Sequence, residues 1–210
     1  MYRSCTRYPQ EMAGDAVALT ISGSADDGCE KGQHTEELVT ISGLVDDRAG
    51  GESSERSGDV WVHGPGGERY WGLFGAAGLL LRSPDNEILL QHRVEWSHFG
   101  GTWGIPGGAR CEHESSISAA LREAEEEAGV RGEHVRVRST SVLDLGFWSY
   151  TTVIADATVR FLPCVRDGES IELRWISIER VIDFPLHPRF ADAWPALLRR
   201  VRAIGPLESD

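Results

Sequence analysis

The chain predicts an α/β fold: a mixed β-sheet with helices on both faces, preceded by an acidic extension. Three observations carry this. Short apolar, β-branched runs are bounded by turn residues, as strands are. Two stretches with helical spacing lie between and after those runs, so strands precede, separate and follow the helices. Composition also shifts near residue 58, from Gly, Ser, Asp and Glu to aromatic and aliphatic residues. At 210 residues with 40% apolar content, the chain can build one domain core.

Residues 1–57 form the extension. ALTISGSADD (18–27) and LVTISGLVDD (38–47) nearly repeat, but two such units rarely bury a core, so the expectation is a solvated, disordered tail. The domain is expected over 58–204, with a short tail at 205–210, and order begins near DVWVHGPGGERYWG (59–72). GAAGLLLR (75–82) reads as a buried strand, SPDNE (83–87) as a turn, and EILLQHR (87–93) as the returning strand of a hairpin. VEWSHFGGTWGIPGG (94–108) reads as a long aromatic and glycine loop, and loops of that length inside a domain are usually functional. A helix is predicted from Glu114 to Ala128, with Ser115 or Ser116 capping its start and Gly129 ending it. Strands follow at 134–145, 149–158 and 172–178. The last helix spans 187–204, where Pro195 starts a second part or makes a kink.

The formal charge is −12, and residues 1–57 hold 5 basic and 11 acidic side chains. Such a protein is ill suited to bind a nucleic-acid polymer or an anionic membrane through its general field. An anionic substrate would need cations in between. The scattered cysteines Cys5, Cys29, Cys111 and Cys164 form no CxxC and read as free thiols in a reducing compartment. MYRSCTRYPQEMAGDA lacks the apolar core of a signal peptide, and no apolar run reaches the roughly 18–20 residues of a membrane span. The expected location is the cytoplasm. Oligomeric state is not readable.

The stretch REAEEE (122–127) concentrates like charge. On a helical wheel Ile117, Ala120, Leu121, Ala124 and Ala128 share one stripe, read as the core face. Glu123, Glu126 and Glu127 share a neighbouring arc, and Glu125 points away to solvent. Carboxylates at i, i+3 and i+4 repel, and more so beside a core. A hard divalent cation relieves that repulsion; the competing reading is an ordinary acidic helix.

The spacing separates the two. From Gly108 there are five residues to Glu114 and seven more to Arg122, followed by Glu-Ala-x-Glu-Glu-x-Gly-Val. This matches every fixed position of the Nudix box, and the chain resembles the Nudix hydrolase family. The resemblance implies an α/β/α sandwich, Mg²⁺ (Mn²⁺ is the alternative), and hydrolysis of a nucleoside diphosphate linked to another group. Carried onto this sequence, it implies that Glu126 and Glu127 hold cations. Glu123 is a ligand or the base that activates water, Arg122 orients a carboxylate, and Glu114 supports the loop. Gly107 and Gly108 let the backbone approach an ion. A further carboxylate is expected from Glu169 or Glu172, the latter taken as a metal ligand, and Arg93 is a candidate phosphate contact.

Residues 58–200 look like a MutT-type branch that hydrolyses 8-oxo-dGTP to the monophosphate. Markers of the NADH, ADP-ribose and coenzyme A subclasses are missing. The asparagine that reads the oxidised purine in that branch is replaced by the region PLHPRF, where His187 can donate and accept. Trp103 is the candidate stacking surface for the base, among Trp96, Phe99, Phe147 and Trp148. The expected partner is a small nucleotide. The alternatives are a Nudix hydrolase of another nucleoside diphosphate derivative (an ordinary NTP, a nucleotide sugar, ADP-ribose) and a non-catalytic nucleotide sensor.

Overall fold

The computed structural model describes residues 56–205. The near repeat, most of the predicted extension and residues 206–210 lie outside the described residues. Arg56, assigned to the extension, contacts the domain: its guanidinium pairs with Glu112 at 2.7 and 2.6 Å, and its carbonyl accepts the Glu112 N–H.

A short antiparallel hairpin comes first, β1 (Trp61–His63) with β2 (Arg69–Trp71). The main sheet holds β3 (Ala76–Arg82), β4 (Glu87–Arg93), β5 (Trp103–Gly104), β6 (Gly107–Ala109), β7 (Val135–Asp144), β8 (Ser149–Ala157) and β9 (Ser170–Ser177). Strands β3 and β8 pair in parallel, while the other pairings are antiparallel, so the sheet is mixed. Strands β3 and β4 meet only near their turn, at Arg82 and Ile88. The start of β3 pairs with β6 instead, and β4 turns to β9 and β5. The predicted long loop thus shrinks, because both ends of its second half are taken up as sheet.

Helix α1 (Ser116–Ala128) lies on one face and α2 (Pro188–Ala203) on the other. The period-2 alternation of the strands divides the core between them. Leu79, Leu81, Leu89, Val153 and Ala155 pack with Ala120, Ala124 and Ala128 of α1. Leu80, Ile88, Leu90 and Ile154 pack with Phe190, Trp194, Leu197 and Val201 of α2.

Ser115 caps α1, accepting the Ser118 N–H at 3.0 Å, and Gly129 closes it with φ of 67°. The Gly129 N–H reaches the Glu125 carbonyl, the 5→1 bond of an αL end, and the Val130 N–H reaches the Ala124 carbonyl. Helix α2 runs unbroken through Pro195, which corrects the predicted second start. Pro195 is exposed, so the carbonyl that loses its amide partner lies on the solvent side of the helix.

Two further expectations are corrected. Ile117 is exposed and Ala119 is fully buried, while Arg122, Glu123 and Glu127 lie inside the buried arc. Glu125, read as solvated, is half-buried. A wheel ranks positions by apolarity and cannot see that charged groups occupy the buried face. The cysteines differ too: Cys111 and Cys164 each stand as disulfide-bonded, and no free cysteine stands among the described residues. Spacing along the chain does not show which thiols the fold brings to a partner. No helix among the described residues is long and apolar enough to cross a membrane.

Candidate active site

The site begins where β6 runs under α1. Gly107 and Gly108 pair with Gly78 and Ala77 of β3. A Cβ on Gly107 would lie 2.5 Å from the Ala77 carbonyl oxygen and from the Gly78 Cα. One on Gly108 would lie 2.5 Å from the Glu123 carboxyl carbon. The double glycine therefore lets strand and helix approach until carboxylates of α1 reach the β6 backbone, where the Gly107 N–H donates to Glu127 Oε2 at 2.8 Å. Gly107→Ala is expected to cost about 1–3 kcal/mol, as for overpacking, because its neighbours are backbone. Gly108→Ala is expected to cost less stability but more activity, since Glu123 would have to move. Urea melts and kcat for the two variants check this; equal stability losses would count against it.

Arg122 is buried and organises the box. Its Nε and Nη2 donate to the two oxygens of Glu114 at 2.9 and 3.0 Å, and its Nη1 donates to Glu123 Oε1 at 2.7 Å. Nη2 also reaches the Ala109 carbonyl at 3.0 Å. Burial opposes the guanidinium charge, but Glu114 and Glu123 more than offset it, so Arg122 is held above its ordinary pKa. Glu114 also accepts the Cys111 N–H at 2.9 Å, which ties the loop before α1 to the helix. Glu126 lies 3.6 Å from Arg122 Nη1 and is partly exposed.

Glu127 is 2% exposed. Burial first, then the charges of Glu123, Asp167 and Glu169, push its carboxyl well above the ordinary range, although the Gly107 N–H pulls the other way. Glu127, Asp167 and Glu169 each present an oxygen within 4.8 Å of the others. The loop before β9 delivers the last two, its Arg166 N–H bonding to the Glu127 carbonyl at 3.3 Å. Asp167 Oδ1 accepts the Glu169 N–H and the Ser170 hydroxyl, while its Oδ2 is buried with no hydrogen-bond partner. A buried orphan oxygen among converging carboxylates fits a divalent cation.

Glu172 does not join this group. Its carboxylate pairs with Arg174 at 2.9 Å and is partly exposed, because it sits two residues into β9. Asp167 was missed; only its nearness to Glu169 in RDGESIE marked it. Tyr150 was missed as well. Its hydroxyl would collide with any Cβ on Gly78, and burial, then Glu127, hold it above its ordinary pKa. No pattern in the sequence singles it out.

Trp103 is also corrected. It is 6% exposed, stacks on His92 at 4.7 Å and packs with the α2 core, so it offers no face to a base. Strand β5 pairs with β4 and turns the indole inward. Trp148 is likewise buried, whereas Trp96, Phe99 and Phe147 are exposed. Arg93 Nε is buried with no hydrogen-bond partner. His187 caps α2, its N–H donating to the Trp103 carbonyl at 2.7 Å and its ring meeting Phe99 at 4.7 Å. Burial, then Arg93, His98 and Arg189, lower its pKa from 6.5 to about 4. His187 is therefore neutral at pH 7. Its native state resists a proton that the unfolded chain accepts below 6.5, so its contribution to stability is lost as pH falls from 6.5 toward 4. Its ring protons in an NMR titration are expected to show a midpoint near 4; an ordinary midpoint would remove His187 from this setting.

A NUDIX domain profile matches residues 72–198. A Mycobacterium tuberculosis protein named "Putative 8-oxo-dGTP diphosphatase 3" is 49% identical over 166 residues, which is 74% of this chain and 76% of that one. A Bifidobacterium longum nucleoside triphosphate pyrophosphatase/Nudix hydrolase fusion protein is 39% identical over 71% of this chain and 33% of its own length. The crystal structure of RenU, a Nudix hydrolase from M. smegmatis, superposes with a TM-score of 0.68 at 46% identity. It covers 72% of this chain and all of that one.

Proposed function

The chain belongs to the NUDIX family and is a hydrolase of phosphoric anhydride bonds in small nucleotides, and from that premise we propose a Mg²⁺-dependent nucleoside polyphosphate pyrophosphohydrolase that converts oxidised purine nucleotides such as 8-oxo-dGTP to the monophosphate. The observation that carries the chemistry is the carboxylate group Glu127, Asp167 and Glu169, with its orphan Asp167 oxygen, next to the Arg122–Glu123 pair. The name of the M. tuberculosis relative supports the substrate.

In this reading Glu127, Asp167 and Glu169 hold the cation, with Glu123 and Glu126 flanking Glu127 on α1. When bound, such a cation neutralises phosphate charge and makes water a stronger acid. Arg122 fixes Glu123 at Oε1, which suits either a ligand or the base that takes the water's proton. The Gly107 N–H keeps Glu127 aimed inward, and the buried Arg93 Nε takes a phosphate oxygen. Neutral His187 donates and accepts toward the purine edge beside the exposed ring of Phe99. The substrate points to the cytoplasm, where bonded cysteines are unusual; thiol counting on protein purified without reductant checks the state of Cys111 and Cys164.

Turnover with Mg²⁺ on 8-oxo-dGTP, the dNTPs, the NTPs and ADP-ribose tests the substrate. A wide kcat/KM lead for 8-oxo-dGTP, with monophosphate and pyrophosphate as products, is expected. Parity with dGTP, or a lead for ADP-ribose, would move the substrate to another nucleoside diphosphate derivative and leave the hydrolase intact.

A further inference from the structure

A cluster of positive charge stands apart from the carboxylates in a chain of net charge −12. Arg69 comes from β2, Arg93 from the end of β4, and Arg189 from the first turn of α2. Ring contacts tie their surroundings together. The Arg69 guanidinium lies 5.0 Å over Trp61, whose ring meets His98 at 5.0 Å. His98 meets Phe99 at 4.2 Å, and Phe99 meets His187 at 4.7 Å. Arg189 lies 4.5 Å over Tyr70, the neighbour of Arg69. Arg93 closes the loop that carries His98 and Phe99, its N–H donating to the Thr102 carbonyl and its carbonyl accepting the Gly101 N–H, both at 3.0 Å; burial first, then Arg69, Arg93 and Arg189, lowers the His98 pKa.

None of the three arginines has a carboxylate within ion-pair distance among the described residues. Many other arginines of this acidic chain, Arg56, Arg82, Arg122, Arg138, Arg160, Arg174 and Arg180 among them, have acidic partners. Unpaired like charges held together on aromatic faces repel each other, and a buried donor such as Arg93 Nε carries a desolvation cost until an acceptor arrives. A phosphate resolves both, through charge-assisted bonds. Arg93 also joins the two regions, since it pairs with Ser170 of β9, and the next residue, Val94, donates its N–H to the Glu169 carbonyl at 3.0 Å.

We propose that Arg69 and Arg189, with Arg93 at the near edge and His98 between them, form a second anion subsite that takes a phosphate of the substrate's chain beyond those held at the carboxylate group. The subsite makes the enzyme discriminate a nucleoside triphosphate from a diphosphate. This rests on the hydrolase reading above, but not on the identity of the base.

The test compares wild type with Arg69→Gln/Arg189→Gln and with each single substitution, since both guanidiniums lie on rings that help the hairpin pack. kcat/KM is measured for 8-oxo-dGTP against 8-oxo-dGDP, and for dGTP against dGDP. The triphosphate-to-diphosphate ratio is expected to fall roughly tenfold or more in the double variant, as for loss of charge-assisted contacts. In EDTA, inorganic tripolyphosphate is expected to raise the wild-type melting temperature more than pyrophosphate does, by mass action, and the double variant is expected to lose that difference. A folded variant with both readouts unchanged overturns the subsite. A falling ratio with dGTP hydrolysed as well as 8-oxo-dGTP keeps the subsite and removes the oxidised-purine reading instead.

Discussion

Glu127→Gln is expected to lower kcat on the order of 10²–10³-fold, the scale of losing one preorganised electrostatic group, and to stabilise the protein in chelator. The two effects have one cause. The native fold buries this carboxylate against Glu123, Asp167 and Glu169 and holds its pKa well above 4.5. The sign follows from linkage. Above 4.5 the unfolded chain releases the proton more readily than the native state does, so stability falls as pH rises until the native group also ionises. Glutamine keeps an oxygen for the Gly107 N–H and has no proton to lose. The gap in melting temperature between variant and wild type, measured in EDTA, should therefore open as pH rises above 4.5. Mg²⁺ should narrow it by stabilising only the wild type. Full activity in the variant, or a gap that shrinks with pH, would show that Glu127 is not the strained carboxylate of the site.

Arg122→Ala is expected to cost about 3–5 kcal/mol, the cost of leaving buried charges without their partner. Glu123 is buried and Glu114 partly so, and three Arg122 nitrogens serve them. A typical domain is stable by only about 5–15 kcal/mol, so the variant should unfold in far less urea. Arg122→Lys keeps the charge but not the planar fork that spans Glu114 Oε1 and Oε2. It should recover part of the stability and little of the activity, since Glu123 would no longer be fixed. A loss under about 1 kcal/mol for Arg122→Ala would mean that solvent screens these pairs like ordinary surface bridges.

Strand and helix positions were largely legible because they rest on local periodicity. Strand β4 occupies residues 87–93 as the short apolar run after the SPDNE turn predicts, and α1 ends at Gly129 in the left-handed region. The pairing of β6 with β3 was not legible, since three residues rich in glycine carry no strand signal. The box residues were read from spacing, and Arg122, Glu114 and Glu123 do come together. Asp167 and Tyr150 were not, because they reach Glu127 through the fold and from distant strands or loops. Trp103 misled for the converse reason: an aromatic in a glycine loop looks available until a neighbouring strand claims it. Glu172 stands three residues beyond Glu169, inside β9, and its carboxylate turns to Arg174 and not to the cluster.

The division of the core by the sheet bears on how such a protein can evolve. Ala124 and Trp194 belong to packed layers on opposite faces, with no neighbour in common. Changes on the two sides should add in free energy to within about 0.3–0.5 kcal/mol, as separated sites do. The carboxylate helix sits on one side, and the first turn of α2, with His187 and Arg189, begins on the other. A lineage can therefore exchange recognition residues one at a time without repacking the hydrolytic machinery. One scaffold can change its substrate through single, independently tolerated steps.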